Sequence, residues 1–164
     1  MTTPAGPHRS DTDRIEKQIT LRAPVARVWK ALTDSKEFGA WFRVNLDGQF
    51  KPGGRIRGNI TYPGYEHLVM DVTVERMDRE RLFSFRWHPA AIDPKRDYDK
   101  EPTTLVEFRL ETIDAGGRPD GGTRLTVVES GFDALPPDRR QEALRMNSGG
   151  WEIQVENIKT HVGG

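Results

Sequence analysis

Apolar side chains recur along this chain at two spacings, and the change from one to the other divides it. Ile15, Ile19 and Leu21 share one parity, as a half-buried strand starting at Arg14 requires. Val25, Val28, Trp29 and Leu32 then step by three and four behind Pro24, which predicts a short amphipathic helix. Asp34 with Glu37 three residues later resembles a capping box and opens a second short helix carrying Phe38, Trp41 and Phe42. From residue 44 onward the period drops to two. Strands are expected at 44–48, 55–62, 65–77, 81–88, 103–113 and 122–131, separated by Gly- and Pro-rich turns that include the GGRPDGG run at 116–122. One face collects Ile56, Ile60 and Tyr62, then Leu68, Met70, Val72 and Val74. The same face continues with Phe83, Phe85 and Trp87, then Val106, Phe108 and Leu110, then Leu125 and Val127. The alternating positions are mostly Arg, Thr, Glu and Asp, the signature of an antiparallel sheet with one wet side.

Such a sheet needs a cover. Leu144, Ser148, Trp151, Val155, Ile158 and Val162 return to helical spacing, so a long final helix beginning near Pro136-Pro137-Asp138 is expected to lie across the apolar face. Gly149 and Gly150 interrupt it, at a cost of about 1 kcal/mol each relative to alanine. Two readings of the pair stand: the glycines keep a space open beside the sheet, or they allow close helix–sheet packing with no space at all. Between Trp87 and Thr103 an aperiodic stretch with three prolines is long for a hairpin connection. It is either a lid at the mouth of a pocket or a solvated excursion.

Composition removes several function classes. The 164 residues suit one domain, expected over 14–162, with 1–13 as a flexible tail. The 25 basic and 25 acidic side chains balance to a formal net charge of zero, which argues against nucleic acid or an anionic membrane as the main partner. The chain has no cysteine, so disulfides, thiol nucleophiles and thiolate metal sites are excluded. Apolar runs fall far short of the roughly 18 residues a membrane helix needs, and residues 1–13 lack the apolar core of a secretion signal, so a cytoplasmic protein is expected. A homodimer is compatible with the sequence, although no exposed stripe argues for one.

The candidate chemistry centres on Glu129. It has the parity of Leu125 and Val127 and so points into the apolar side, where a carboxylate must find partners and can orient a ligand or act as an acid or base. A bulge at Ser130-Gly131, or an Arg partner on the last helix, would make it merely structural. Asn147 and Ser148, one turn before Trp151, can offer hydrogen bonds beside Gly150. Trp41, Phe42, Met70, Phe83, Phe85, Trp87, Phe108 and Trp151 can line a site for a flat apolar ligand, each being equally explicable as core. Glu66 shares inward parity but abuts a turn, which suits the rim. His8, His67, His88 and His161 show no metal-ligand spacing, so no metal is expected. Nor does any string hold a nucleophile elbow, a phosphate loop or a cofactor motif.

Four strings in order carry a family resemblance: Ala23-Pro-Val-Ala-Arg-Val-Trp-Lys-Ala-Leu-Thr-Asp34, Trp41-Phe42, Glu129-Ser-Gly-Phe132, and Gly149-Gly-Trp151 with Val155-Glu-Asn-Ile-Lys159. They resemble the START-like (SRPBCC) superfamily, in the branch homologous to the C-terminal domain of the activator of heat-shock-protein-90 ATPase. The resemblance spans residues 14–162. It implies an α+β helix-grip fold of order β-α-α-β6-α, a curved antiparallel sheet wrapped around a long C-terminal helix. It also implies a small apolar or aromatic ligand held between sheet and helix. Two other implied roles are a polyketide cyclase- or hydrolase-like enzyme in which Glu129 assists proton transfer, and a chaperone-associated interaction protein. In the enzyme reading, Glu129→Gln abolishes turnover and spares stability. The chaperone reading is the weaker, because only the 13-residue tail stands where the eukaryotic activator has a separate N-terminal domain.

Overall fold

The computed structural model describes residues 13–164. Strand β1 (Arg14–Leu21) leads into helices α1 (Val25–Thr33) and α2 (Ser35–Phe42). Six strands follow: β2 (Val44–Asp47), β3 (Arg55–Ile60), β4 (Val69–Asp78), β5 (Leu82–Trp87), β6 (Thr104–Ala115) and β7 (Arg118–Ser130). A 3-10 turn at Phe132–Ala134 then delivers the chain to α3 (Pro137–Val162). All seven strands pair antiparallel in the order β1-β7-β6-β5-β4-β3-β2, so β1 closes one edge against the last strand and β2 forms the other. This is the helix-grip architecture: one curved sheet, two short helices, and a long helix across the concave face.

The core follows the two periods. Phe83, Phe85, Val106, Phe108, Leu125 and Val127 lie fully buried on the concave face, and Val28, Leu32, Phe38, Trp151, Val155 and Ile158 close on them from the helices. Asp34 caps α2 by accepting N–H bonds from Lys36 and Glu37 at 2.9 and 3.1 Å, half of the expected box. Glu37 does not complete it. Its side chain instead meets Arg27 at 2.6 Å and His161 at 3.0 Å, tying α1 and α2 to the end of α3. Burial opposes ionisation of Glu37, but hydrogen bonds from His161 and Arg27 hold its carboxyl below the usual carboxylate range.

Several boundaries differ from the sequence expectation, each for a local reason. Tyr62–Leu68 is not strand: Tyr65 N–H bonds Tyr62 O and Leu68 N–H bonds Tyr65 O in successive tight turns, leaving Tyr62 half exposed. The GGRPDGG run is mostly strand. Its turn is confined to Gly116 and Gly117, with φ of 58° and 78°, and Ala115 pairs with Arg118 across it. Positive φ at both central residues is the two-residue turn whose twist suits a hairpin. The expected tail ends one residue early: Asp13 is buried, and its carbonyl accepts N–H bonds from Gly131 and Phe132 at 3.0 and 3.1 Å. The rest of that expected tail, residues 1–12, lies outside the described residues.

Candidate functional site

Glu129 is completely buried, and four side chains from three elements converge on it. Trp87 of β5 donates its indole N–H to Oε2 at 2.8 Å, and Thr104 of β6 donates its hydroxyl to the same oxygen at 2.5 Å. Trp151 of α3 donates its indole N–H to Oε1 at 2.8 Å. Asn147 Nδ2, one helical turn earlier, lies 2.9 Å from Oε1 and 3.1 Å from Oε2.

Sheet register brings the strand residues together. Trp87 pairs with Thr104 across β5 and β6, and Val106 pairs with Glu129 across β6 and β7, so all three functional side chains fall on the concave face as near neighbours. Asn147 and Trp151, four apart on α3, reach the carboxylate from above. Every partner is uncharged. A carboxyl group has about four lone-pair sites, and these four donors occupy them, replacing the water lost on burial.

Beside this knot lies a cleft of about 440 Å³. Phe42, Ile60, Leu68, Met70 and Trp87 supply its apolar surface, Arg57, Asp71 and Asn147 line it with polar groups, and residues 88–99 of the β5–β6 connection form one wall. Val69 and Ile92, about half exposed, mark its opening to solvent. The connection is held down by charge. Arg96 reaches Glu101 at 2.6 Å and Asp138 at 2.7 Å, while Arg139 reaches Glu101 at 2.8 Å and the Pro89 carbonyl at 3.0 Å. Burial opposes ionisation of Glu101, yet hydrogen bonds from Arg96 and Arg139 hold it below the usual range, and Arg96 does the same for Asp138.

The residues singled out from the sequence separate into three layers. Phe42, Met70, Trp87 and Asn147 line the cleft. Glu129 and Trp151 sit one layer behind, joined to it through Trp87 and Asn147. Trp41, Phe83, Phe85 and Phe108 lie deeper, with the Trp41 N–H donated to the Ala31 carbonyl at 2.8 Å. Ser148 and Gly150 do not line the cleft. A Cβ at Gly149 or Gly150 would meet no atom within 4 Å; Gly149 is exposed on the outer side of α3, whereas Gly150 is half-buried. Sequence reasoning missed Ile60 as a lining residue, and it missed the Arg96–Glu101–Arg139 network. Ile60 was legible by parity; the network, in an aperiodic loop, carried no signal. Among the described residues there is no cluster of three or more metal-ligating side chains, and no helix is long and apolar enough to cross a membrane.

A curved sheet gripping a helix, with a cleft at their junction, defines a START-like (SRPBCC) domain. The chain belongs to the family described as Activator of Hsp90 ATPase homolog 1-like protein, whose sequence model matches residues 22–163. Solved structures share the fold. MLL2253 from Mesorhizobium loti is 22% identical, with a TM-score of 0.69 over 91% of this chain and 96% of that one. Ms6760 from Mycobacterium smegmatis is 21% identical, with a TM-score of 0.67 over 94% and 93%. CalU16 from Micromonospora echinospora is 21% identical, with a TM-score of 0.60 over 92% and 76%. At such identities the likeness concerns the fold alone. No curated protein matches significantly.

Proposed function

We propose that this protein binds a small apolar, aromatic molecule in the cleft between β3, β4, the β5–β6 connection and α3. The observation that carries the reading is the cleft itself: about 440 Å³, lined by Phe42, Met70 and Trp87 and by Asn147 from α3. A volume in the range of roughly 300–1,000 Å³ with aromatic and aliphatic surface is what small-molecule sites share, and here charged groups such as Arg57, Asp71 and Arg96 line the cleft beside that surface. The arrangement of Glu129 favours a carrier or receptor over a catalyst. Its oxygens are taken up by Trp87, Thr104, Trp151 and Asn147, so it supports the wall of the site and does not face a reactant. The cleft is lined by one chain, and the reading needs no second subunit, nucleic acid, membrane or cofactor. Balanced charge and the lack of cysteine suit a cytoplasmic carrier. A chaperone-associated role rests on the family description alone.

Thermal-shift and native mass spectrometry against a panel of lipids and aromatic acids test the reading. At least one aromatic class should raise Tm and travel with the protein as an added mass. No stabilisation by any compound, together with no copurifying mass, would sink it.

A further inference from the structure

The polar groups around the cleft are mostly spent on one another: Asp71 is held by Arg55 at 2.8 Å and Arg57 at 3.5 Å, and Asp97 accepts the Asp99 N–H at 3.0 Å. Trp87 lines it, yet its only polar atom is donated to Glu129. The Tyr98 hydroxyl accepts the Asp93 N–H at 3.1 Å, His88 Nε2 is 3.1 Å from the Glu101 carbonyl, and Arg96 is shared by Glu101 and Asp138. Among the uncharged side chains that line the cleft, Asn147 is different. Its Nδ2 is committed to Glu129, and its Oδ1 receives no hydrogen bond from the described residues. The amide cannot turn over without cost, because the flipped form would set Oδ1 against two carboxylate oxygens. Glu129 therefore fixes which end of Asn147 is free, and the free end is an acceptor with no donor capacity.

We infer that the cleft selects ligands carrying a hydrogen-bond donor, of the phenolic hydroxyl kind, at the end that reaches Asn147 Oδ1. This rests on the binding reading above and names the ligand class for it. The body of such a ligand, about two or three rings for this volume, lies against Phe42, Met70 and Trp87. A ligand presenting only an acceptor there meets Oδ1 with a repulsive contact and leaves both atoms without water. Glu129 acts as a positioning residue, two hydrogen bonds away from the ligand.

The test uses a matched pair on the full chain, naphthol and its methyl ether, at neutral pH, with affinity read by tryptophan fluorescence quenching and calorimetry. The ether is the more apolar of the two and would bind better in a site without an acceptor. Naphthol should bind about fivefold to tenfold tighter, the worth of one satisfied hydrogen bond. Asn147→Leu should bring the ratio to unity or reverse it while both probes still bind. Should that variant not fold, a series of naphthols with increasingly acidic, still protonated hydroxyls decides on the unaltered chain: affinity should climb with donor strength. Equal affinity for naphthol and ether, or a flat acidity series, overturns the donor inference and leaves the binding reading standing. If neither probe binds and no other two- or three-ring compound does, the binding reading falls and the inference with it.

Discussion

Trp87 and Trp151 stand 5.9 Å apart, ring to ring, and send their indole N–H groups to opposite oxygens of the Glu129 carboxylate. One residue comes from the sheet and the other from the helix laid across it, so the carboxylate is the point at which the two layers are pinned in register. Four donors meeting one buried acceptor group make an arrangement in which each partial loss carries a cost.

Replacing Glu129 by Gln is therefore a stability mutation. An amide brings its own N–H2 among donors and leaves two of them without an acceptor, so unfolding free energy should drop by about 2–4 kcal/mol. Trp151→Phe, which keeps the ring and removes one donor, should cost about 1–3 kcal/mol. Urea unfolding measures both. A Glu129→Gln variant within about 0.5 kcal/mol of the parent would contradict the pinning role and restore Glu129 as a candidate acid or base, the enzyme reading in which that variant spares stability.

The glycine pair of α3 should be dispensable. With nothing within 4 Å of a Cβ at either position, Gly149→Ala and Gly150→Ala should each stabilise by about 0.5–1 kcal/mol through helix propensity. Thermal unfolding shows the gain. A loss of stability, or of ligand affinity in Gly150→Ala, would mean that the pair has a role at the cleft after all.

Gly58 offers the contrast. A Cβ there would lie 2.1 Å from the Asn45 carbonyl oxygen, so Gly58→Ala must push β2 away from β3 at a cost of about 1–3 kcal/mol. Because β2 is an edge strand beside the cleft, hydrogen exchange should rise at β2 and β3 and stay unchanged at β6 and β7. Uniform acceleration across the sheet would show that the edge does not open by itself.

Acid should release the cleft wall. Glu101 and Asp138 have folded-state values below their unfolded ones, so their contribution is complete above the unfolded values and is lost as pH falls through the folded ones. Protection of residues 88–102 in peptide-resolved hydrogen exchange, corrected for intrinsic rate, should hold from neutral pH down to about pH 4 and fall below it. Loss of protection already near pH 6 would assign the attachment to some other group.

Much of this molecule was readable in one dimension because period and parity are local. Ile15 and Leu21, the alternation through β5 and β6, and the four-and-three spacing of Trp151, Val155 and Ile158 each specify an element and its buried side without reference to anything distant. Parity likewise turned Glu129 inward. Its partners were not readable: Trp87 is 42 residues away and Thr104 is 25, and only the pairing of β5, β6 and β7 brings them to one carboxylate.

The glycines mark the boundary between the two kinds of knowledge. Sequence alone determined that α3 has an apolar stripe and a weak point at Gly149-Gly150. It did not determine the rotation of the helix about its own axis, and that rotation decides whether the weak point faces the sheet or the solvent. The fold sets it by drawing Asn147 and Trp151 onto Glu129, which turns Gly149 to the solvent and leaves Gly150 half-buried, with open space beside both. The cleft lies instead between Leu68, at the end of the Tyr62–Leu68 turns, and residues 88–99 of the tethered connection. The cleft is thus shaped by an aperiodic connection and by a segment whose alternation reads as strand but whose backbone closes into turns, because both depend on ion pairs and turn hydrogen bonds that period and parity do not encode.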